Sequence, residues 1–217
     1  MDILRVPLWP ITFLMEKIFA MYADFSGSVG VGVLLLAATF AIISRPIQQY
    51  GRRLEVRIAE KNRRAREDIS ALDSTLKGEK FFEATDAIYL HHGFHPAYNI
   101  LSGASFLFQL PFLISAVLLF IDGDTLQGKS FGMIADLSLP DDFLSMGDIA
   151  VNLLPFMVLL WSVADAYFFY ADNLAAQRKF MFIAVVIFML IYSMPSGLVL
   201  YWLALSMCTS FFNKLAR

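Results

Sequence analysis

The residues able to do chemistry in this sequence fall into three groups. His91-His92-x-x-His95 gathers three imidazoles within five positions, and imidazole is a common zinc ligand. The cluster sits beside Gly93 and Pro96 and lacks a clear fourth ligand. It reads more simply as the polar exit of a helix, and no metal is expected. Arg63-Arg64-x-Arg66 reads either as a solvated helix face or as a contact for anionic lipid headgroups or ribosomal RNA. The third group is polar side chains set inside apolar runs. These are Thr39, Ser44 and Arg45; Ser102, Ser105, Gln109 and Ser115; Trp161, Ser162 and Asp165; and Tyr201, Ser206, Thr209 and Ser210. Small polar residues of this kind commonly serve helix packing. Asp165 is the most informative, because an ionisable residue within an apolar run faces a cavity or a partner. No Gly-rich phosphate loop, nucleophile elbow or spaced carboxylate pair occurs. The expectation is a protein that is not an enzyme and uses no cofactor.

The elements that hold these residues follow from composition. Of the 217 residues 58% are hydrophobic and 17% charged, with a mean hydropathy of +0.62; a soluble domain would carry nearer a quarter charged. Ten of the 17 Lys and Arg lie between Arg45 and Lys80, whereas Val31–Ile43, Ile100–Ile121 and Met181–Phe212 carry no charge. Long apolar runs around a charged block indicate a multi-span membrane protein. The net charge of −2 and a pI near 5.9 argue against a nucleic-acid binder, DNA included, which would show a basic face. Cys208 is the only cysteine, which excludes an internal disulfide. Pro7, Pro10, Glu16 and Lys17 interrupt the first apolar stretch, so no cleaved signal is expected.

Helical periodicity places Phe13, Leu14, Ile18, Phe19 and Tyr22 on one side of residues 11–22, as in a helix lying at the bilayer interface. The expected organisation is an interfacial amphipathic helix in 1–26, a first span in 27–45 ending at Arg45-Pro46, a cytoplasmic hairpin in 46–97, and four further spans in 98–217 with an external loop over 122–149. In the hairpin, Leu54, Ile58, Ala65, Ile69, Leu72 and Leu76 form one apolar seam. Lys77-Gly78-Glu79 turns the chain, and Phe81, Phe82, Ile88 and Leu90 form the returning seam. The later spans are expected at about 100–121, 150–170, 180–194 and 198–212. The fourth would be only 15 residues long, short for a hydrocarbon core of roughly 30 Å. Five spans put the Arg-rich hairpin, Arg178-Lys179 and Lys214/Arg217 on one side and the six-Asp loop on the other. The positive-inside rule then sets the N-terminus outside and the C-terminus in the cytoplasm of a bacterial plasma (inner) membrane.

Several segments, in order, resemble the YidC insertase family. They are Ser28-Val29-Gly30 sixteen residues before Pro46, Tyr89-Leu-His-His-Gly-Phe-His-Pro96, Gln109-Leu110-Pro111-Phe112, Ser130-Phe131 through Asp136-Leu137, Asn152-Leu-Leu-Pro155, and Pro195-Ser-Gly-Leu-Val-Leu-Tyr201-Trp202. The last is nearest the family pattern. The resemblance implies an all-α polytopic membrane protein. Five transmembrane helices would surround a hydrophilic groove open to the cytoplasm, flanked by the N-terminal interfacial helix and the cytoplasmic antiparallel helical hairpin. It implies an insertase or chaperone for nascent or partner membrane proteins, acting among membrane lipids, with the Sec translocon or the ribosome as further candidate partners. Groove-lining residues would be Thr39, Arg45, Gln109, Asp165, Tyr201 and Ser206, with Arg45 approaching Asp165 across the groove mouth. Arg63, Arg64 and Arg66 would make the hairpin contacts. The family's groove arginine falls on Ala41, one turn before Arg45, its Ser-Asn late in the last span becomes Leu205-Ser206, and no large periplasmic domain is expected. A subunit dedicated to one membrane enzyme or complex is therefore the alternative reading.

Overall fold

The computed structural model describes residues 2–72, 78–93, 107–121, 124–146, 149–169 and 174–215. Leu76 and Lys77 of the hairpin, His95 and Pro96, residues 100–106 with Ser102 and Ser105, Asp122, Asp148 and Arg217 lie outside them. Seven α-helices run through the described residues: α1 (Asp2–Ser26), α2 (Val29–Ser70), α3 (Glu79–His91), α4 (Leu110–Ile121), α5 (Leu153–Phe169), α6 (Leu174–Ile191) and α7 (Ser196–Leu215). A short antiparallel hairpin joins Leu144–Met146 to Ile149–Val151, with Leu144 opposite Val151. The chain divides into one unit of residues 1–43 and 111–217 and a second of 44–110.

In the first unit α1 presents Met15 and Phe19 to the core, four residues apart on one face. Phe13 and Leu14, expected on that apolar side, are exposed instead. Trp9 stacks on Phe13 with ring centroids 5.3 Å apart, and Lys17 lies over the same ring at 5.4 Å. The first half of α2 adds Val33, Leu36, Ala37 and Phe40, and α7 adds Leu198, Tyr201 and Leu205. The Phe120 ring of α4 meets Phe19 edge-on at 5.4 Å and Tyr201 at 6.0 Å. The ring of Phe156 on α5 packs against Phe188 of α6 at 4.9 Å. On α6, Phe182, Val185, Val186, Met189 and Leu190 are all exposed, repeating at i, i+3, i+4, i+7 and i+8. A wholly apolar outward stripe suits lipid rather than water.

Two boundaries differ from expectation. Helix α2 does not end at Arg45-Pro46 but contains Pro46 and continues to Ser70, 42 residues in all. Proline removes one ladder hydrogen bond and crowds the carbonyl four residues back, here that of Ile42, and the turns on either side carry the helix past it. The unit division falls two residues earlier, at Ser44. Helix α6 begins at Leu174 and has 18 residues. The fourth apolar run appeared short because Arg178 and Lys179 lie inside its first two turns. By length and composition α2 is long and apolar enough to cross a membrane, whereas Leu110–Ile121, Leu153–Phe168 and Ser196–Phe212 are shorter apolar stretches.

In the second unit Ile58 and Ala65 of the α2 seam are buried. The returning arm is different: α3 buries no residue, and Phe81, Phe82 and Leu90 are exposed. Its end is tied back by polar contacts, with Lys61 Nζ donating to the Gly93 carbonyl at 3.2 Å and His92 Nε2 lying 2.6 Å from Asp68 Oδ2.

Candidate functional site

Residues 124–146 form an ordered cap over the start of α7. The first N–H groups of a helix have no partner within it. Here Ser196 N–H donates to the Leu139 carbonyl at 2.8 Å and Gly197 N–H to the Leu137 carbonyl at 2.9 Å, while Ser196 Oγ donates to the Asp136 carbonyl at 3.2 Å. Asp136 holds the loop itself. Its Oδ1 accepts from Ser138 N–H at 2.8 Å and Ser138 Oγ at 2.7 Å, and its Oδ2 accepts from Gly128 N–H at 3.1 Å. These bonds, the Ser138 hydroxyl first, hold the Asp136 carboxyl below the usual carboxylate range. Two glycines allow the cap to seat. A Cβ at Gly197 would stand 2.7 Å from Leu126 Cδ1, and one at Gly30 would overlap the Phe131 ring.

The start of α5 is built similarly. Asn152, 5% exposed, donates to the Tyr192 carbonyl at 2.7 Å and accepts from Asp142 N–H at 3.1 Å. The helix is capped from a distance, by Asp141 Oδ2 accepting from Leu153 N–H at 2.6 Å and Leu154 N–H at 2.9 Å.

The expected groove residues divide between the units. Thr39, Asp165, Tyr201 and Ser206 belong to the first, Arg45 and Gln109 to the second. Ser210 Oγ of α7 donates to Asp165 Oδ2 of α5. Thr39 Oγ1 donates to the Leu35 carbonyl at 2.9 Å, so the Tyr22 hydroxyl at 2.9 Å is left as donor to Thr39. Tyr201 is fully buried, and its hydroxyl has no hydrogen-bond partner among the described residues; the same holds for Ser115 Oγ, Trp161 Nε1 and Thr209 Oγ1. Trp161 lies one turn before Asp165, and Thr209 adjoins Ser210. Ser206, Arg45 and Gln109 are half-buried. Ala41, at the place of the family's arginine, is 2% exposed in the apolar core. Gln48 escaped the sequence reading. It is buried and donates to Ser44 Oγ at 2.9 Å, a pairing that its i+4 spacing from Ser44 could have signalled.

On the hairpin, Arg63 bridges Glu60 at 2.9 Å and Glu67 at 2.6 Å, and Arg64 Nε bonds Glu60 at 2.9 Å. Arg66 Nε donates to Asn62 Oδ1 at 3.2 Å. Hydrogen bonds from Arg63 and Arg64 lower the Glu60 pKa to about 2. His91 and His92 rings meet edge-on at 5.3 Å, and among the described residues no three His, Cys, Asp or Glu could hold a metal ion.

A helical unit with a lipid-suited outer stripe, buried polar groups and a loop cap on its last helix defines an α-helical membrane protein. The profile of the 60Kd inner membrane protein family matches residues 21–216, and the chain belongs to that family. The membrane protein insertase YidC of Endomicrobium trichonymphae is 40% identical over 75 residues, 34% of this chain and 14% of that protein. The membrane protein insertase YidC of Treponema denticola is 26% identical over 211 residues, 90% of this chain and 35% of that protein. A crystal structure of an active YidC insertase with its first transmembrane domain resolved matches with a TM-score of 0.59 at 18% identity. That match covers 94% of this chain and 45% of the solved one, and it is a likeness of fold. The chain thus spans about a third of the length of its Treponema relative.

Proposed function

We propose that this chain is a membrane protein insertase or chaperone of the inner membrane. It would assist insertion and folding of other membrane proteins through a hydrophilic groove, without cofactor or covalent step. The observation that carries the reading is family membership over residues 21–216, supported by the polar groups held inside an otherwise apolar bundle. An unsatisfied polar group in hydrocarbon costs several kcal/mol. Side chains that offer hydrogen bonds at membrane depth lower that cost for a polar segment in transit. Thr39, Arg45, Gln109, Asp165, Tyr201 and Ser206 are the residues we assign to the groove. The apolar part of α2 with α4, α5, α6 and α7 would supply five spans, the N-terminus outside and the C-terminus cytoplasmic. At 17 residues α5 measures about 25 Å, short enough to thin the bilayer beside it. The clients would be nascent or partner membrane proteins, met among membrane lipids, with the Sec translocon or the ribosome as further candidate partners.

The test is rescue of cells depleted of their insertase. Rescue by the wild type and loss of rescue by Arg45→Ala and Asp165→Ala are expected. Full rescue by both variants would remove the pair from the mechanism. A second reading, a subunit dedicated to one membrane complex, is favoured by the burial of Ala41 where the family carries a charge. Photocrosslinking from positions 109 and 206 separates the two, many nascent chains marking an insertase and one abundant partner a subunit.

A further inference from the structure

The second unit contains a cavity of about 390 Å³ lined by Val56, Arg57, Glu60, Lys61, Arg64 and His92. The first five recur at i, i+1, i+4, i+5 and i+8, one face of α2, and His92 closes the cavity from the residue after α3. Three full positive charges face one carboxylate, so the site is cationic whatever the state of His92. The charges are also disposed to receive a ligand. Arg57 has no partner among the described residues. Among the described residues Lys61 is engaged by a neutral carbonyl, that of Gly93. Among the described residues Arg64 meets Glu60 through Nε, and its two terminal nitrogens form the fork that matches phosphate oxygens. Glu60 is shared with Arg63 outside the cavity, which divides its charge. Val56 and the aliphatic stems of Arg57, Lys61 and Arg64 give the cavity an apolar floor.

We propose that this cavity binds a phosphate-bearing anion, gripped by Arg57, Lys61 and Arg64, with the apolar floor receiving the organic part of a phosphodiester. The volume lies within the range of small-molecule sites. The ligand chemistry is a phosphate ester, which a lipid headgroup or a free phosphoester can supply. None of these contacts involves the residues assigned to the groove, and only Arg64 is shared with the hairpin contacts that the family resemblance implies.

The full chain in neutral detergent, with ¹³C-labelled histidine, is titrated with inorganic phosphate, glycerol phosphate and short-chain phosphatidylglycerol while the His92 ring resonance is followed. Saturable shifts are expected. Arg57→Ala should weaken binding by about tenfold or more, the effect of losing one charge-assisted hydrogen bond. Arg57→Lys should retain most of it, and Lys80→Ala on α3 should leave it unchanged. Because Arg57 is exposed and has no hydrogen bond or ion pair among the described residues, its removal tests charge without loosening the Lys61–Gly93 tie. Tighter binding of phosphatidylglycerol than of glycerol phosphate identifies a headgroup as the source, and equal binding a free phosphoester. Absence of saturation with all three ligands, or wild-type affinity in Arg57→Ala, overturns the proposal.

Discussion

At the scale of single residues, the positions that carry the family resemblance do mostly architectural work. Gly197 is glycine because the loop cap approaches the backbone too closely for a Cβ. Gly197→Ala is expected to destabilise the protein by about 1–3 kcal/mol, as overpacking does, seen as a lower midpoint in thermal unfolding. Leu126→Ala should recover part of the loss in the double variant, because the nearest obstacle is a Leu126 methyl; no recovery would show the Leu137 carbonyl to be the true barrier. Asp136 offers two oxygens to three donors. Asp136→Asn replaces one acceptor with a donor, and amide exchange at Gly128 and Ser138 should accelerate while α5 and α6 remain protected. The hairpin carries a pH dependence of known sign. Glu60 is depressed in the folded state, so its contribution is present above the ordinary carboxylate range and disappears as pH falls toward about 2. Helical signal from the hairpin should therefore fall over that acid window, and Glu60→Gln should flatten the change.

At the scale of elements, the molecule joins its helices through polar side chains placed at their ends. Asn152 lies where a helix cap belongs, yet its amide reaches Tyr192 at the end of α6, and Asp141 takes over the capping. Asn152→Ala would leave the Tyr192 carbonyl without that donor and cost about 1–3 kcal/mol, measurable by chemical unfolding in detergent. Asp141→Ala should cost about 1 kcal/mol, the usual effect of losing a cap. Equal losses from both would contradict the division of roles. The hairpin shows the opposite case. Its returning helix was expected to bury Phe81, Phe82 and Leu90, and exposes them instead, because two polar ties rather than an apolar seam return it to α2.

At the scale of the whole molecule, the apolar runs, the charged block between them and the order of the motifs already indicated a helical membrane protein of this family. Those features are local or cumulative. Hydropathy sums along the chain, and a charged stretch is costly in lipid wherever it occurs. The all-helical class and the family were therefore legible from the sequence by itself. Helix ends were less so: α2 runs through Pro46 because its neighbouring turns sustain it, and α6 starts before its basic pair because Arg and Lys are good helix formers. What only the tertiary structure decided is which polar residue meets which. Asp165 gains Ser210 from a helix 45 positions away, Asp141 caps a helix twelve residues on, and the hydroxyl of Tyr201 is buried without a partner among the described residues. Such pairings depend on the rotation and depth of packed helices. No periodicity within one segment encodes either quantity, because each is fixed by the side chains of other segments.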